Sequence, residues 1–130
     1  MAELAGPVRA LIDGANYAHL ATILPDGSPH SVPLWIGLEG ERIAFLTDPA
    51  SRKARNIERD PRVALSVTDQ AQPFTMAQVR GRVTGRLDGD EAWAVIDRIS
   101  AKYTGGPYPQ RSGRVVFLIE PERTSGTAFG

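Results

Sequence analysis

The stretch from Phe74 to Leu87 is long for one β-strand, and Gly81 and Gly85 sit inside it. Glycine within a strand marks a bulge or a sharp bend, the device that carries a strand round a barrel corner. Around this stretch lie shorter segments of strand character. Tyr17 to Leu24 is followed by the turn residues Pro25-Asp26-Gly27-Ser28. Val32, Leu34, Ile36 and Leu38 then alternate strictly, which predicts one strand over 31–38, with Pro33 implying an edge or a bulge. Ile43 to Thr47, Val63 to Thr68, Arg114 to Ile119 and a short final segment from Arg123 to Ala128 complete the set. Six or seven strands at such spacing predict a mainly β chain, an antiparallel barrel with helices packed outside it.

Three short helices are expected. Pro7 to Asp13 places Val8, Leu11 and Ile12 on one side. Asp88 with Glu91 three residues later has the form of a capping box. It opens a helix with Ala92, Val95, Ile96, Ile99 and Tyr103 on one face, stopped by Gly105-Gly106-Pro107. The third runs from a Ser51 cap to the stop imposed by Pro61, with Ala50, Ala54 and Ile57 on an apolar face and Arg52, Arg55, Asn56 and Arg59 on a polar one. Its first turn carries Arg52 and Lys53, cations set against the positive end of the helix dipole. A docking anion would use the free amides, the dipole and these side chains together; a solvated basic face is the other reading.

Composition narrows the function. One domain spanning 1–130 is expected, and the net charge is zero, so no global field recruits nucleic acid or an acidic membrane. Without cysteine there is no disulfide, thiol nucleophile or thiolate metal site. Residues 1–7 lack the pattern of a signal peptide, and no apolar run approaches the roughly 20 residues that span a bilayer. A cytoplasmic enzyme or binding domain is the expectation. Groups for unaided chemistry are few. His19 and His30 are the only histidines, on neighbouring strands and without an acid at ligand spacing, so no metal site is expected. Glu39 and Glu41 lie in a solvent-facing turn, and G-x-S-x-G and G-x-G-x-x-G are both absent. A chain so poor in catalytic groups borrows its reactivity from a cofactor. Tyr103, Tyr108 and His30 are candidate proton donors, and residues 104–110 form a candidate mobile rim.

Several segments carry a resemblance: Leu20-Ala21-Thr22 with Pro25-Asp26-Gly27-Ser28-Pro29, Val32-Pro33-Leu34-Trp35, Thr47, the block Lys53 to Val63, and Gly81-Arg82-Val83. In these the chain resembles the split β-barrel flavin and deazaflavin oxidoreductases, the FMN-binding-like superfamily that includes pyridoxamine 5′-phosphate oxidase, and within it the branch using the deazaflavin coenzyme F420. The resemblance implies a homodimer with two cofactor sites at its interface. It implies that Thr47 and the segment Ser51, Arg52, Lys53, Arg55 and Asn56 hold the cofactor phosphate. Phe74 matches a position that can face the other subunit's cofactor. The implied reaction is hydride transfer between the deazaflavin and a conjugated small organic substrate. An FMN enzyme on the same fold, and a non-catalytic protein binding a flavin or haem, are the alternatives. The deazaflavin's acidic tail needs extra cations, for which Arg52, Arg59, Arg62, Arg111 and Arg114 are available. Pyridoxamine phosphate oxidases end in an Arg-x-x-Trp-type segment, and residues 120–130 hold no tryptophan, so vitamin B6 oxidation is not expected.

Overall fold

The computed structural model describes residues 2–4 and 6–128. In chain order the elements are α1 (Gly6–Asp13), β1 (Ala18–Ile23), β2 (Pro29–Leu34), β3 (Gly37–Glu39), β4 (Arg42–Thr47), α2 (Arg52–Arg59), β5 (Arg62–Thr68), β6 (Thr75–Leu87), α3 (Gly89–Thr104) and β7 (Val115–Ala128). The strands form one sheet in the order β2-β1-β5-β6-β7-β4-β3, with every neighbouring pair antiparallel.

That order closes the sheet. β2 and β3 lie at its opposite edges, yet only Trp35 and Ile36 separate Leu34 from Gly37. Three Cα–Cα steps reach about 11 Å at most, so the two edges must come together. The result is an antiparallel split β-barrel. The alternation read as one strand over 31–38 is therefore two strands, joined at the crossover.

β6 bends where its glycines fall. Its register against β7 shifts between Arg80 and Gly81 and again between Val83 and Gly85. A Cβ at Gly81 would collide with the backbone carbonyl of Glu120, so the close approach of the strands requires glycine there. The two segments expected at the C-terminus merge into the single strand β7, which pairs with both β6 and β4.

Two apolar cores result. Inside the barrel Leu20, Ile43, Phe45, Val67, Val79, Phe117 and Ile119 pack with Val8, Leu11 and Ile12 of α1. Outside it, Ala92, Val95, Ile96 and Ile99 of α3 cover Ala44, Val116 and Leu118. Burying an aliphatic side chain of this size contributes about 1.5–3 kcal/mol, so this small second core suffices to seat the helix. The capping box does not form, because Arg86 takes the Asp88 carboxylate at 3.0 Å and the helix begins without a side-chain cap. Among the described residues no helix is long and apolar enough to cross a membrane.

Candidate functional site

β4 delivers the chain into α2 through a tight polar turn. The Thr47 and Ser51 hydroxyls lie 2.8 Å apart, and Ser51 Oγ accepts the Ala54 amide at 3.2 Å. Asp48 Oδ1 accepts the Ala50 amide at 2.8 Å. Among the described residues this leaves the Arg52 and Lys53 amides as free donors of the first turn. Lys53 is half-buried, and burial together with the nearby Arg114 guanidinium holds its ammonium below the usual lysine value, Asp48 opposing the shift. Arg114 lies 4.0 Å from Asp48, too far for a close ion pair. The site thus carries more positive than negative charge in a partly desolvated place, which is chemistry for an anion.

Beside it opens a groove of about 230 Å³ lined by Leu34, Trp35, Leu46 and Tyr108. Tyr103 stacks on Trp35 at 5.0 Å and 5° between planes, and Tyr108 meets it edge-on at 6.2 Å. Arg114 lies 5.9 Å from the Tyr108 ring centroid, joining the anion site to the groove. The groove falls below the roughly 300–1,000 Å³ of pockets that enclose a ligand, so it can cover only part of a ring system.

The model of the pyridoxamine 5′-phosphate oxidase family matches residues 4–128. The chain belongs to that family. Among solved structures similar to this family member, one titled F420 reductase is 31% identical, covering 90% of this chain and 94% of its own, with a TM-score of 0.79. A conserved hypothetical protein from Mycobacterium tuberculosis is 26% identical, covering 97% and 87%, with a TM-score of 0.78. A FAD-binding protein from Mesorhizobium loti, at 24% identity, 90% and 88% coverage and a TM-score of 0.66, shares the fold. No curated protein matches in sequence.

Within this family member the expected site residues divide. Thr47, Ser51 and Lys53 come together. Arg52 and Arg55 are exposed on α2 and make no ion pair among the described residues. Asn56 does not share their polar face: it is fully buried, and its amide donates to Thr22 Oγ1 at 3.0 Å. It ties α2 to β1 and offers no surface to a ligand. Ala50, read as apolar-face, is exposed. Phe74 is 70% exposed and precedes β6, whereas Leu87 at that strand's other end lies beside Val116, next to the partner of Thr47. Phe74 and the Thr47 turn thus stand toward opposite ends of β6.

The surplus of cations is smaller than the sequence suggests. Arg59 donates to the Ile23 carbonyl, Arg62 pairs with Asp60 at 2.8 Å, and Arg111 pairs with Asp97 at 2.6 Å. The histidines do not meet. His19 lies opposite Pro33 and faces outward, whereas His30 lies opposite the buried Thr22. Among the described residues no three acidic or histidine side chains converge as metal ligands. Tyr103 is a structural group: its hydroxyl donates to the Asn16 carbonyl at 2.6 Å and accepts from the Ile36 amide at 3.2 Å, and burial raises its pKa. Sequence reasoning did not assemble Trp35, Leu46, Tyr108 and Arg114 into one wall. They come from separate segments, and only the pairing of Thr47 with Val115, which sets Arg114 at the helix entrance, signals it.

Proposed function

We propose that the protein is an oxidoreductase that moves a hydride between coenzyme F420 and a conjugated small organic substrate. The observation that carries this reading is an anion cradle of Thr47, Ser51 and Lys53, short of negative charge, directly beside an aromatic groove. The 31% identity to a structure titled F420 reductase supports it.

The residues present fit such a group. Thr47, Ser51 and Lys53 would hold its phosphate, with the first-turn amides of α2 adding donors. Arg52 and Arg55, exposed and without an ion pair among the described residues, would meet the acidic tail. Trp35, Leu46 and Tyr108 would cover one side of the ring and exclude water. When bound, the cofactor supplies the hydride chemistry that the chain's own side chains lack. A groove this small covers part of a tricyclic ring, so the site is completed by a second copy of the chain, which contributes Phe74.

FMN on the same block is the second reading, and one observation favours it: Arg59, Arg62 and Arg111 are engaged within the protein, leaving fewer cations for a tail. Fluorescence titration of both cofactors at low and high salt separates the two. Tighter F420 binding, with an advantage that shrinks as salt screens charges beyond about 8–10 Å, is the expected result. Tighter FMN binding under both conditions overturns the F420 assignment. Binding of neither gives the place to a non-catalytic protein for another ring, such as haem.

A further inference from the structure

The segment between α3 and β7 had the composition of a mobile rim, yet it is fastened at both ends. Gly105 closes α3 in the left-handed conformation, at φ 82°. The Gly106 carbonyl then accepts from Ser100 Oγ at 2.9 Å and Thr104 Oγ1 at 3.2 Å. Further along, one carboxylate on α3 gathers the loop. Asp97 Oδ1 accepts the Tyr108 amide at 3.1 Å and an Arg111 nitrogen at 2.6 Å, and Oδ2 accepts a second Arg111 nitrogen at 3.0 Å. Arg111 also donates to the Tyr108 carbonyl at 2.9 Å and lies 4.6 Å from the Trp93 ring centroid. Arg114 donates to Gln110 Oε1 at 3.1 Å.

A bidentate guanidinium–carboxylate pair fixes orientation as well as distance. Here it fixes both the amide and the carbonyl of Tyr108, and so the backbone from which that ring projects. The ring is the movable wall of the groove, because Trp35 opposite is pinned by Tyr103 and by the crossover. Asp97 itself lines neither the groove nor the anion site.

We propose that Asp97 is a positioning residue of the groove: by latching Tyr108 and Arg111 to α3, it sets the Tyr108 ring and the Arg114 guanidinium at a fixed distance from Trp35, a width that admits flat conjugated rings. The identity of the ligand rests on the function proposed above; the latch does not.

The test compares the wild type with Asp97→Ala and Arg111→Leu, the second removing the same pair from its exposed end. Three readouts are taken: amide hydrogen exchange over residues 106–112, near-ultraviolet circular dichroism from the Trp35–Tyr108 contact, and titration with F420 and with FMN. Both variants are expected to raise exchange in that loop roughly tenfold or more while the rest of α3 stays protected. They should diminish the aromatic dichroism and weaken the bound cofactor about five- to tenfold, less than the loss of a direct charge-assisted bond, because the latch acts on the cofactor only through Tyr108. The double variant should cost less than the sum of the two single ones, because both lose the same ion pair. Unchanged exchange and dichroism in Arg111→Leu would overturn the latch, whatever Asp97→Ala does to folding. A loosened loop with unaltered affinity would overturn the positioning role. If the wild type binds neither cofactor, the proposed function fails, and exchange with dichroism alone then decides for or against the latch.

Discussion

Burial, reinforced by the Arg114 guanidinium, lowers the proton affinity of the Lys53 amine, and Asp48 opposes the shift. Two cations held together in a half-buried place destabilise each other until an anion arrives. A bound phosphate would restore the Lys53 charge, so binding at alkaline pH should take up a proton. As pH rises through the lowered Lys53 value the amine loses its charge, and affinity should fall. Lys53→Ala should remove that pH dependence and weaken cofactor binding by about 1.5–3 kcal/mol without unfolding the protein. Arg62→Ala, whose guanidinium already belongs to Asp60, should matter less. Fluorescence titrations from neutral to alkaline pH check all three points, and a flat profile in the wild type would place the phosphate elsewhere.

Lys102 should give the protein an alkaline rise in stability. Its Nζ donates to the Ile12 carbonyl at 3.0 Å and the Ile36 carbonyl at 2.6 Å, stapling α1, the crossover and α3. Burial lowers its pKa from 10.5 to about 8, with Asp13 opposing the shift and Arg98 reinforcing it. Between those values the unfolded chain binds more protons than the folded one, so unfolding free energy increases with pH in that window. The gain is complete above 10.5 and lost as pH falls through 8. Urea denaturation of the wild type against Lys102→Met from pH 7 upward should show the wild type gaining on the variant, and parallel curves would refute it.

Gly81→Ala and Gly106→Ala should differ sharply. The first forces a methyl group against the Glu120 carbonyl between two paired strands, where overpacking costs about 1–3 kcal/mol. The second adds a methyl group in open space at a backbone angle that alanine accepts, so it should be neutral or stabilise by up to about 1 kcal/mol. Thermal unfolding of the two variants is sufficient, and equal melting points would contradict the barrel corner.

The contrast between those glycines marks what the sequence makes legible. A bend written by Gly81 and Gly85 is local, as is the Ser51 cap, whose oxygen and acceptor lie three residues apart. The crossover is not local. Alternation from Val32 to Leu38 continues through Trp35 and Ile36 although the chain there leaves one sheet edge for the other, because both edges face the same core. Asp88 and Glu91 had the spacing of a capping box, and competition from Arg86 on the preceding strand removed it. Asn56 has the polarity of a solvent-facing residue, but its partner Thr22 lies 34 positions away. For the candidate site, the proximity of Thr47, Ser51 and Lys53 is legible since they lie in one continuous segment. The groove wall was not, since register alone brings its members together.

Thr22→Val should expose the cost of that buried pair. Among the described residues Asn56 Oδ1 has no hydrogen-bond partner, so removing the Thr22 hydroxyl orphans the rest of the amide. A loss of about 1–3 kcal/mol is expected from chemical denaturation. Adding Asn56→Ala to Thr22→Val should cost less than Asn56→Ala alone, and strict additivity would show that the two side chains are not coupled.

The proposed second copy makes a further demand on Phe74. Phe74→Ala should weaken cofactor binding while Lys53 and its surroundings remain intact. Light scattering alongside the titration decides the matter: a monomer that binds cofactor with unaltered affinity would mean that one chain suffices.

The two edges of the sheet also bear on what this protein avoids. β2 carries Pro29 and Pro33, which lack amide protons, and β3 is three residues long. Joined by Trp35 and Ile36, they leave no long, regular ladder on which another strand could be templated. Growth of cross-β fibrils from the folded state has no starting register here, and chains that associate must do so through faces and side chains rather than by lengthening the sheet.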